Sequence, residues 1–355
     1  MARVVVGISG GVDSAVAAYL LKLAGHDVIG VTLRTWLSAD GTDSRCCEID
    51  DARMAAWKIG IPYYVWNCVS EFEKNVEKPF IREYISGRTP NPCTVCNRLV
   101  KWDRMLSTAR TMQADYVATG HYASVVKLEN GRYTFRKAAH IRKDQTYMLY
   151  RLSQEQIAAT LMPLGELSKD EVREIARKAG IPVANKPDSQ EICFVSEGSY
   201  AEFIEDNSPE PLQGPGNFVD EAGNILGRHK GIIHYTVGQR KGLGLALGHP
   251  AYVKRINAAA NEVVISEEEG LYTDTVYCRD INLLSIEALG EGEALPCTAK
   301  IRYQHPGEKA VIEKAGEDLI RISFEKPVRA AAPGQSAVFY DADDCLIGGG
   351  VITEK

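Results

Sequence analysis

Two short stretches of this chain hold residues whose types and spacing could do chemistry. Ser9 to Ser14 reads SGGVDS, directly after an apolar run; Thr89 to Arg98 reads TPNPCTVCNR and sets Cys93 and Cys96 three positions apart. In the first, two glycines let the backbone turn its N–H groups toward one point. Serine hydroxyls add donors, and a following helix would present its positive end, so the turn is suited to phosphate oxygens. It is not a Walker loop, because the lysine of G-x-x-x-x-G-K-[ST] is missing. The plain alternative is a tight strand-to-helix turn without a ligand. The cysteine pair by itself is ambiguous: zinc clamp, redox couple or catalytic thiols. Zinc sites usually take four protein ligands, and neither a second C-x-x-C nor a His pair at matching spacing occurs in this sequence.

The surrounding periodicity predicts what positions these residues. RVVVGI, from Arg3, reads as a strand, and VDSAVAAYLLKLAG as a helix that stops at Gly25. VIGVTLRTW, YYVWNC and DYVATG read as further strands; EIDDARMAAWKIG, closed by Gly60, and EFEKNVEKPFIREYISG as helices between them. Such alternation predicts an α/β domain, a parallel sheet covered by helices on both faces with ligands beyond the carboxyl ends of its strands. Asn130-Gly131 predicts a hairpin turn, and SKDEVREIARKAG a helix with a capping box from Ser168 to Glu171. CNRLVKWDRMLSTAR predicts a helix opening at Cys96, where the helix dipole would favour a reactive thiolate. Past residue 206 the chain becomes dense in Gly and Pro and then reads as short strands, including CTAKIRYQ, SAVFYD and LIGGGVI. That suits small β modules or a barrel. The predicted division is 1–205, 206–270 and 271–355.

Composition bounds the function. The chain has 355 residues and a formal charge of −6, so a nucleic-acid partner must be met by a local basic surface rather than by the field of the whole molecule. Segments such as RKAAHIRK, GRHK, QRK and KIR could supply it. No apolar run approaches the roughly 20 residues that cross a bilayer, and the opening MARVVVGISGG reads as a strand and turn instead of a signal peptide. No membrane association is expected, and the location expected is cytoplasmic. Nine scattered cysteines suit a reducing compartment better than a disulfide framework, with Cys278, Cys297 and Cys345 read as small buried apolar residues.

SGGVDS resembles the pyrophosphatase loop of enzymes that cleave ATP between the α and β phosphates. With GRTPNPCTVCNRLVKW, ATGHYA, RKDQTYMLYRLSQEQ, SQEICFV, HKGIIHYTVGQRKGLG, KIRYQHPG and PGQSAVFYD in the same order, the whole chain resembles the tRNA-specific 2-thiouridylases of the MnmA type. The resemblance implies an N-terminal nucleotide-binding domain of the pyrophosphatase-loop type, a small central domain and a C-terminal β-barrel. It implies ATP and Mg²⁺ as cofactors, a tRNA with a wobble uridine rather than DNA as partner, and a sulfur donor that is a persulfide carrier or sulfide. The implied reaction adenylates O2 of that uridine and replaces it with sulfur. Carried over by position, Gly7, Ile8, Ser9, Gly10, Gly11, Val12, Asp13 and Ser14 would bind ATP, with Asp13 helping to hold Mg²⁺, and Leu33 and Gly120 near the adenosine. Asn91, Pro92 and Cys93 would surround the target base. His121, Lys143, Asp144, Gln145, Arg302, Tyr303 and Gln335 would contact tRNA. Each has a bland reading: Lys143 as a surface charge, His121 as a turn cap, Arg302 and Tyr303 as letters of an alternating strand.

Cys96 matches the family's nucleophile, and Cys193 the cysteine that carries persulfide sulfur. Cys93 departs from the pattern, which has Asp at that position. Three thiolates, Cys93, Cys96 and Cys193, are the right softness and number for a 4Fe-4S cluster with one open iron. Cluster and persulfide readings both remain open at this stage. Cys46 and Cys47 also resemble the family and receive no role. Two other readings compete: another pyrophosphatase-loop ligase, which would have no use for the three cysteines together, and a tRNA-binding protein with structural zinc.

Overall fold

The computed structural model describes residues 1–37, 48–184, 186, 192–195 and 198–354; Cys46 and Cys47 lie outside them. The first unit is built on β1 (Arg3–Gly7), whose Val4, Val5 and Val6 have no exposed surface. A strand buried on both faces must be central, and β1 lies between β2 (Asp27–Arg34) and β4 (Tyr116–Ala118). With β3 (Tyr63–Asn67) and β7 (Thr160–Leu161) they form one parallel sheet in the order β3-β2-β1-β4-β7.

One face of the sheet carries α1 (Val12–Leu23) and α2 (Ile49–Ile59). The buried alanines Ala15, Ala17, Ala18, Ala52, Ala55 and Ala56 let both helices lie close against Val4, Val6 and Ile8. Gly60 ends α2 at φ 73°, a left-handed cap that a side chain would strain. A long helix, α3 (69–85), widens in its middle into a π-helical turn at Glu73–Glu77. A second, α4 (92–111), does the same at Asn97–Trp102 and packs Trp102, Met105 and Ala109 under the opposite face. Such turns concentrate at functional sites. The predicted hairpin is β5 (Ala123–Lys127) and β6 (Tyr133–Lys137), with Gly131 at φ 82°. The short α5 (Gln154–Ala158) precedes β7, and α6 (Lys169–Lys178) carries the predicted capping box, the Ser168 side chain meeting the Glu171 N–H and the Glu171 carboxylate the Ser168 N–H.

After α7 (Tyr200–Asn207) the chain changes to β structure. A four-stranded sheet runs β10-β11-β8-β9, with β8 (Gly216–Val219), β9 (Ile225–His229), β10 (Tyr252–Asn257) and β11 (Glu262–Ser266). Its Phe218, Val253 and Val263 share an apolar core with Phe72, Phe80 and Val100 of the first unit. The last six strands close a barrel in the order β12-β15-β14-β13-β16-β17: β12 (Tyr272–Leu283), β13 (Ala294–Lys300), β14 (Glu308–Gly316), β15 (Leu319–Arg329), β16 (Ser336–Tyr340) and β17 (Leu346–Thr353). Closure removes the sheet edges. Cys278 and Cys297 line its apolar interior, as expected of structural cysteines; burial pushes the Cys297 thiol up to about 12 and the Cys345 thiol to about 11. Val338, Tyr340 and Leu346 of the barrel pack into the core beneath α4, so barrel and sheet domain share one apolar interior. No helix among the described residues is long and apolar enough to cross a membrane.

Candidate active site

The SGGVDS loop turns from β1 into α1 at the carboxyl edge of the sheet. Gly10 takes φ +84°, and a Cβ there would lie 2.6 Å from the Glu48 carbonyl oxygen, so conformation and space both require glycine. Serine hydroxyls hold the turn: Ser9 N–H donates to Ser14 Oγ at 3.1 Å, and Ser14 Oγ donates to the Gly11 carbonyl at 3.1 Å. The N–H groups of the first turn of α1 have no partner within the helix by geometry, which leaves a donor cradle at its positive end. Gly120 closes the opposite side. A Cβ on it would meet Ser14 N at 2.5 Å, so the end of β4 lies directly on the loop. Ile8 is buried beneath the loop, and Leu33 lies near the end of β2.

Asp13, in the first turn of α1, is already engaged. Its Oδ1 accepts from Tyr122 Oη at 2.7 Å, and both carboxylate oxygens accept from Lys169 Nζ at 2.8 Å. Tyr122 also exchanges backbone contacts with Gln145: its N–H donates to Gln145 Oε1 at 3.0 Å, and its carbonyl accepts from the Gln145 N–H at 3.0 Å. One buried tyrosine thus spans from the phosphate loop to a segment expected to meet tRNA. Sequence reading passed over both Tyr122 and Lys169, although each sits inside a quoted motif, ATGHYA and SKDEVREIARKAG.

The cysteine segment differs from its prediction. The helix opens at Pro92 instead of Cys96, because Asn91 caps it by accepting from the Cys93 N–H at 3.2 Å and proline suits the first helical position. Cys93 therefore occupies the first turn and is exposed, whereas Cys96 ends that turn and is buried. Cys193 is half-buried and packs against the same apolar cluster as Cys96, held by its neighbour Phe194, whose ring lies 5.3 Å from Phe72 and 5.1 Å from Phe203. Among the described residues, no group of three His, Cys, Asp or Glu side chains is placed to hold a metal ion. The expected three-thiolate site is therefore not among such groups; Cys93 is exposed, Cys193 half-buried and Cys96 buried. The structural-zinc reading meets the same obstacle.

Around Cys93 the barrel completes the site. Gln335 Nε2 donates to the Thr89 carbonyl at 3.0 Å, and Thr89 N–H donates to the Pro333 carbonyl at 2.8 Å. Tyr303 Oη donates to the Asp144 carbonyl at 3.2 Å, and its ring lies 5.9 Å from that of Tyr147. Burial, with Asp144 and Cys93 nearby, raises the Tyr303 phenol. Arg302 and Tyr303 do not alternate along a strand: β13 ends at Lys300, and both occupy the turn after it. Arg302 Nη1 donates to the Arg329 carbonyl at 2.9 Å. The Asp144 carboxylate is turned inward, accepting from the N–H groups of Ala138 and Thr146 and from the Thr146 hydroxyl. It organises the loop that presents Lys143 and Gln145. His121 shares a 2.8 Å hydrogen bond with Thr119; burial, aided by Lys101, lowers its pKa to about 3, which favours the neutral ring.

Three known families match successive parts of the chain. The family described as tRNA methyl transferase HUP domain matches residues 2–197, the tRNA methyl transferase PRC-barrel domain residues 201–267, and the aminomethyltransferase beta-barrel domain residues 273–352. The tRNA-specific 2-thiouridylase MnmA of Lachnoclostridium phytofermentans is 54% identical over 359 residues, covering 99% of each chain. The proteins of that name from Clostridium perfringens and Clostridioides difficile are each 49% identical over 99% of this chain and 98% of their own. Among solved structures, the U34-tRNA thiolase NcsA from Methanococcus maripaludis with its 4Fe-4S cluster matches at a TM-score of 0.36 and 20% identity, over 59% of this chain and 67% of that one. That likeness is too loose to bear on the site.

Proposed function

The chain belongs to the tRNA-specific 2-thiouridylase family and is a tRNA-uridine 2-sulfurtransferase, and from that premise we propose that it acts on the wobble uridine of the anticodon in two steps served by separate ends of one domain. In the first, the SGGVDS loop binds ATP phosphates through its backbone donors, and Asp13 would hold Mg²⁺, which would offset the negative charge there. Uridine O2 attacks the α phosphorus, the bond to the β-phosphate oxygen breaks, and pyrophosphate leaves with the electron pair. The N3 proton passes to solvent. A poor leaving oxygen has become AMP.

In the second step sulfur replaces that oxygen. Cys193 carries a persulfide, its outer sulfur transferred from a persulfide carrier whose own cysteine leaves as a thiol, and that terminal sulfur attacks C2 and expels AMP. Cys96 then attacks the Cys193 sulfur, forming a disulfide and releasing 2-thiouridine; an external dithiol resets the pair. The common apolar cluster of Cys96 and Cys193 supports this route over a cluster of three thiolates. A uridine stacked in its anticodon cannot reach either center, so it must be extruded between Asn91, Pro92 and Cys93, with Tyr303 at hand to stack. Lys143, Gln145, Arg302 and Gln335 meet the flanking backbone in this reading, in a cytoplasmic enzyme.

Tyr122 carries the proposal: its hydroxyl touches Asp13 while its backbone pairs with Gln145, which supports a phosphate loop coupled to the segment that meets tRNA in this reading. The test is thiolation of an unmodified tRNA with ATP and a persulfide donor. AMP and pyrophosphate should appear in step with 2-thiouridine at the wobble position, and ADP as the stoichiometric product would reject the mechanism. Iron and sulfide analysis of anaerobically purified protein checks the sulfur route, since activity that tracks bound iron would reject the persulfide.

A further inference from the structure

We infer that Lys300 holds one of the two phosphodiesters that flank the extruded uridine, while the base stacks on Tyr303; the inference rests on the reading above that the base leaves its stack beside Asn91, Pro92 and Cys93. Lys300 is the last residue of β13, and its neighbours Ala299 and Ile301 are buried in the barrel interior. Alternation along the strand turns Lys300 to the other face. That is the side of its cross-strand partner Val338, which packs into the core beneath α4. A lysine therefore stands where the barrel meets the sheet domain.

There its Nζ lies 5.9 Å from the ring centroids of both Tyr147 and Tyr303. Tyr147 is fully buried and its hydroxyl donates to the Ser336 carbonyl at 2.9 Å, which fixes that ring. Tyr303 is 36% exposed and can offer a face to a base. The segment read as surrounding the base is adjacent, since Asn91 Nδ2 lies 3.8 Å from Sδ of Met148, the residue after Tyr147. An aromatic face beside an ammonium suits a single nucleotide, the ring taking the base and the cation its phosphate. The ammonium is also poorly matched by the protein itself. Ring faces at 5.9 Å attract it only weakly. Among the described residues no oxygen accepts from its three N–H groups. Burial lowers its pKa; Asp144 opposes that and Lys137 adds to it, but the Asp144 carboxylate is turned to Ala138 and Thr146. A partly desolvated cation without an ion pair gains from an anion that arrives with the substrate.

The alternative is that Lys300 only props the Tyr303 ring. Binding to the full-length protein is measured for unmodified tRNA ligated from synthetic pieces, in which an uncharged methylphosphonate replaces the phosphodiester on the 5′ or the 3′ side of the wobble uridine. One of the two should weaken wild-type binding by about 10-fold, the loss of one charge-assisted hydrogen bond. Lys300→Met, which keeps the stem against both rings without the charge, should bind the all-phosphate tRNA more weakly by a similar factor and lose nothing further to that methylphosphonate. Lys300→Arg should keep most of the affinity and the full sensitivity. Wild-type binding indifferent to both methylphosphonates overturns the inference, whatever the variants do. The same methylphosphonate loss in Lys300→Met as in the wild type also overturns it and leaves Lys300 as a prop. Absence of 2-thiouridine at the wobble position of the all-phosphate tRNA, given ATP and a persulfide donor, would instead overturn the reading beneath it.

Discussion

The phosphate loop and the cysteine site are built on opposite principles. The loop is six consecutive residues held by their own hydroxyls and by Gly10, whose conformation and space admit nothing else. The cysteine site is assembled from parts that meet only in three dimensions: a capped helix end at Asn91 to Cys96, the inward-folded Asp144 loop, Cys193 beside its aromatic anchor, and the turn and strand of the barrel that bring Tyr303 and Gln335. A local device tolerates change elsewhere in the chain. An assembled one is exposed to every domain contact, and that separates the consequences of mutation.

The sharpest test is chemical. Asp13→Ala should abolish both AMP formation and thiolation, whereas Cys96→Ala should abolish thiolation and leave tRNA-dependent AMP formation, because the adenylation machinery lies on a separate segment. Quantifying AMP and 2-thiouridine in one reaction checks this, and loss of both products in Cys96→Ala would mean that the two sites are not separable. Next in size is Gly120→Ala. Its methyl group would fall 2.5 Å from Ser14 N, so the strand end or the loop must shift; a loss of about 1–3 kcal/mol in unfolding free energy is expected, with weaker ATP binding and little change in tRNA affinity. Chemical denaturation and nucleotide titration measure it, and unaltered ATP binding would place the nucleotide elsewhere.

A smaller effect is expected at the barrel. Arg302→Ala should weaken tRNA binding and lower the slope of log affinity against log salt by about 1, the signature of one lost phosphate contact. An unchanged slope would leave Arg302 as a brace for the Arg329 carbonyl. The smallest concerns pH. Burial lowers His121 to about 3 and His305 to about 4, both from 6.5, His305 being further depressed by Arg302 and Lys300. Between those values the unfolded chain binds more protons than the folded one, so the stability conferred is complete above pH 6.5 and is lost progressively as pH falls through the depressed values. Urea midpoints from pH 7 to pH 4 should therefore decline less steeply in His121→Gln than in the parent protein, and parallel curves would show that the ring is readily protonated in place.

The sequence alone determined what is local. Alternating strand and helix periods, Gly60 as a cap, the Asn130-Gly131 turn and the Ser168 capping box all follow from backbone conformations and hydrogen bonds within a few residues of one another, and SGGVDS reads as a phosphate cradle for the same reason. Where a competing local signal was overlooked the reading slipped: Asn91 and Pro92 start the helix at Pro92, ahead of the predicted Cys96, and β13 ends before Arg302. Tertiary structure decided everything that depends on distant partners. The separation of Asp13 from Lys169 is 156 positions, and that of Gln335 from Thr89 is 246. No period or motif encodes such pairs. They arise because α6 buries Val172 and Ala176 against α1, and because Val338, Tyr340 and Leu346 of the barrel complete the core beneath α4, so apolar burial summed over whole elements places polar groups that their own neighbours in sequence could not.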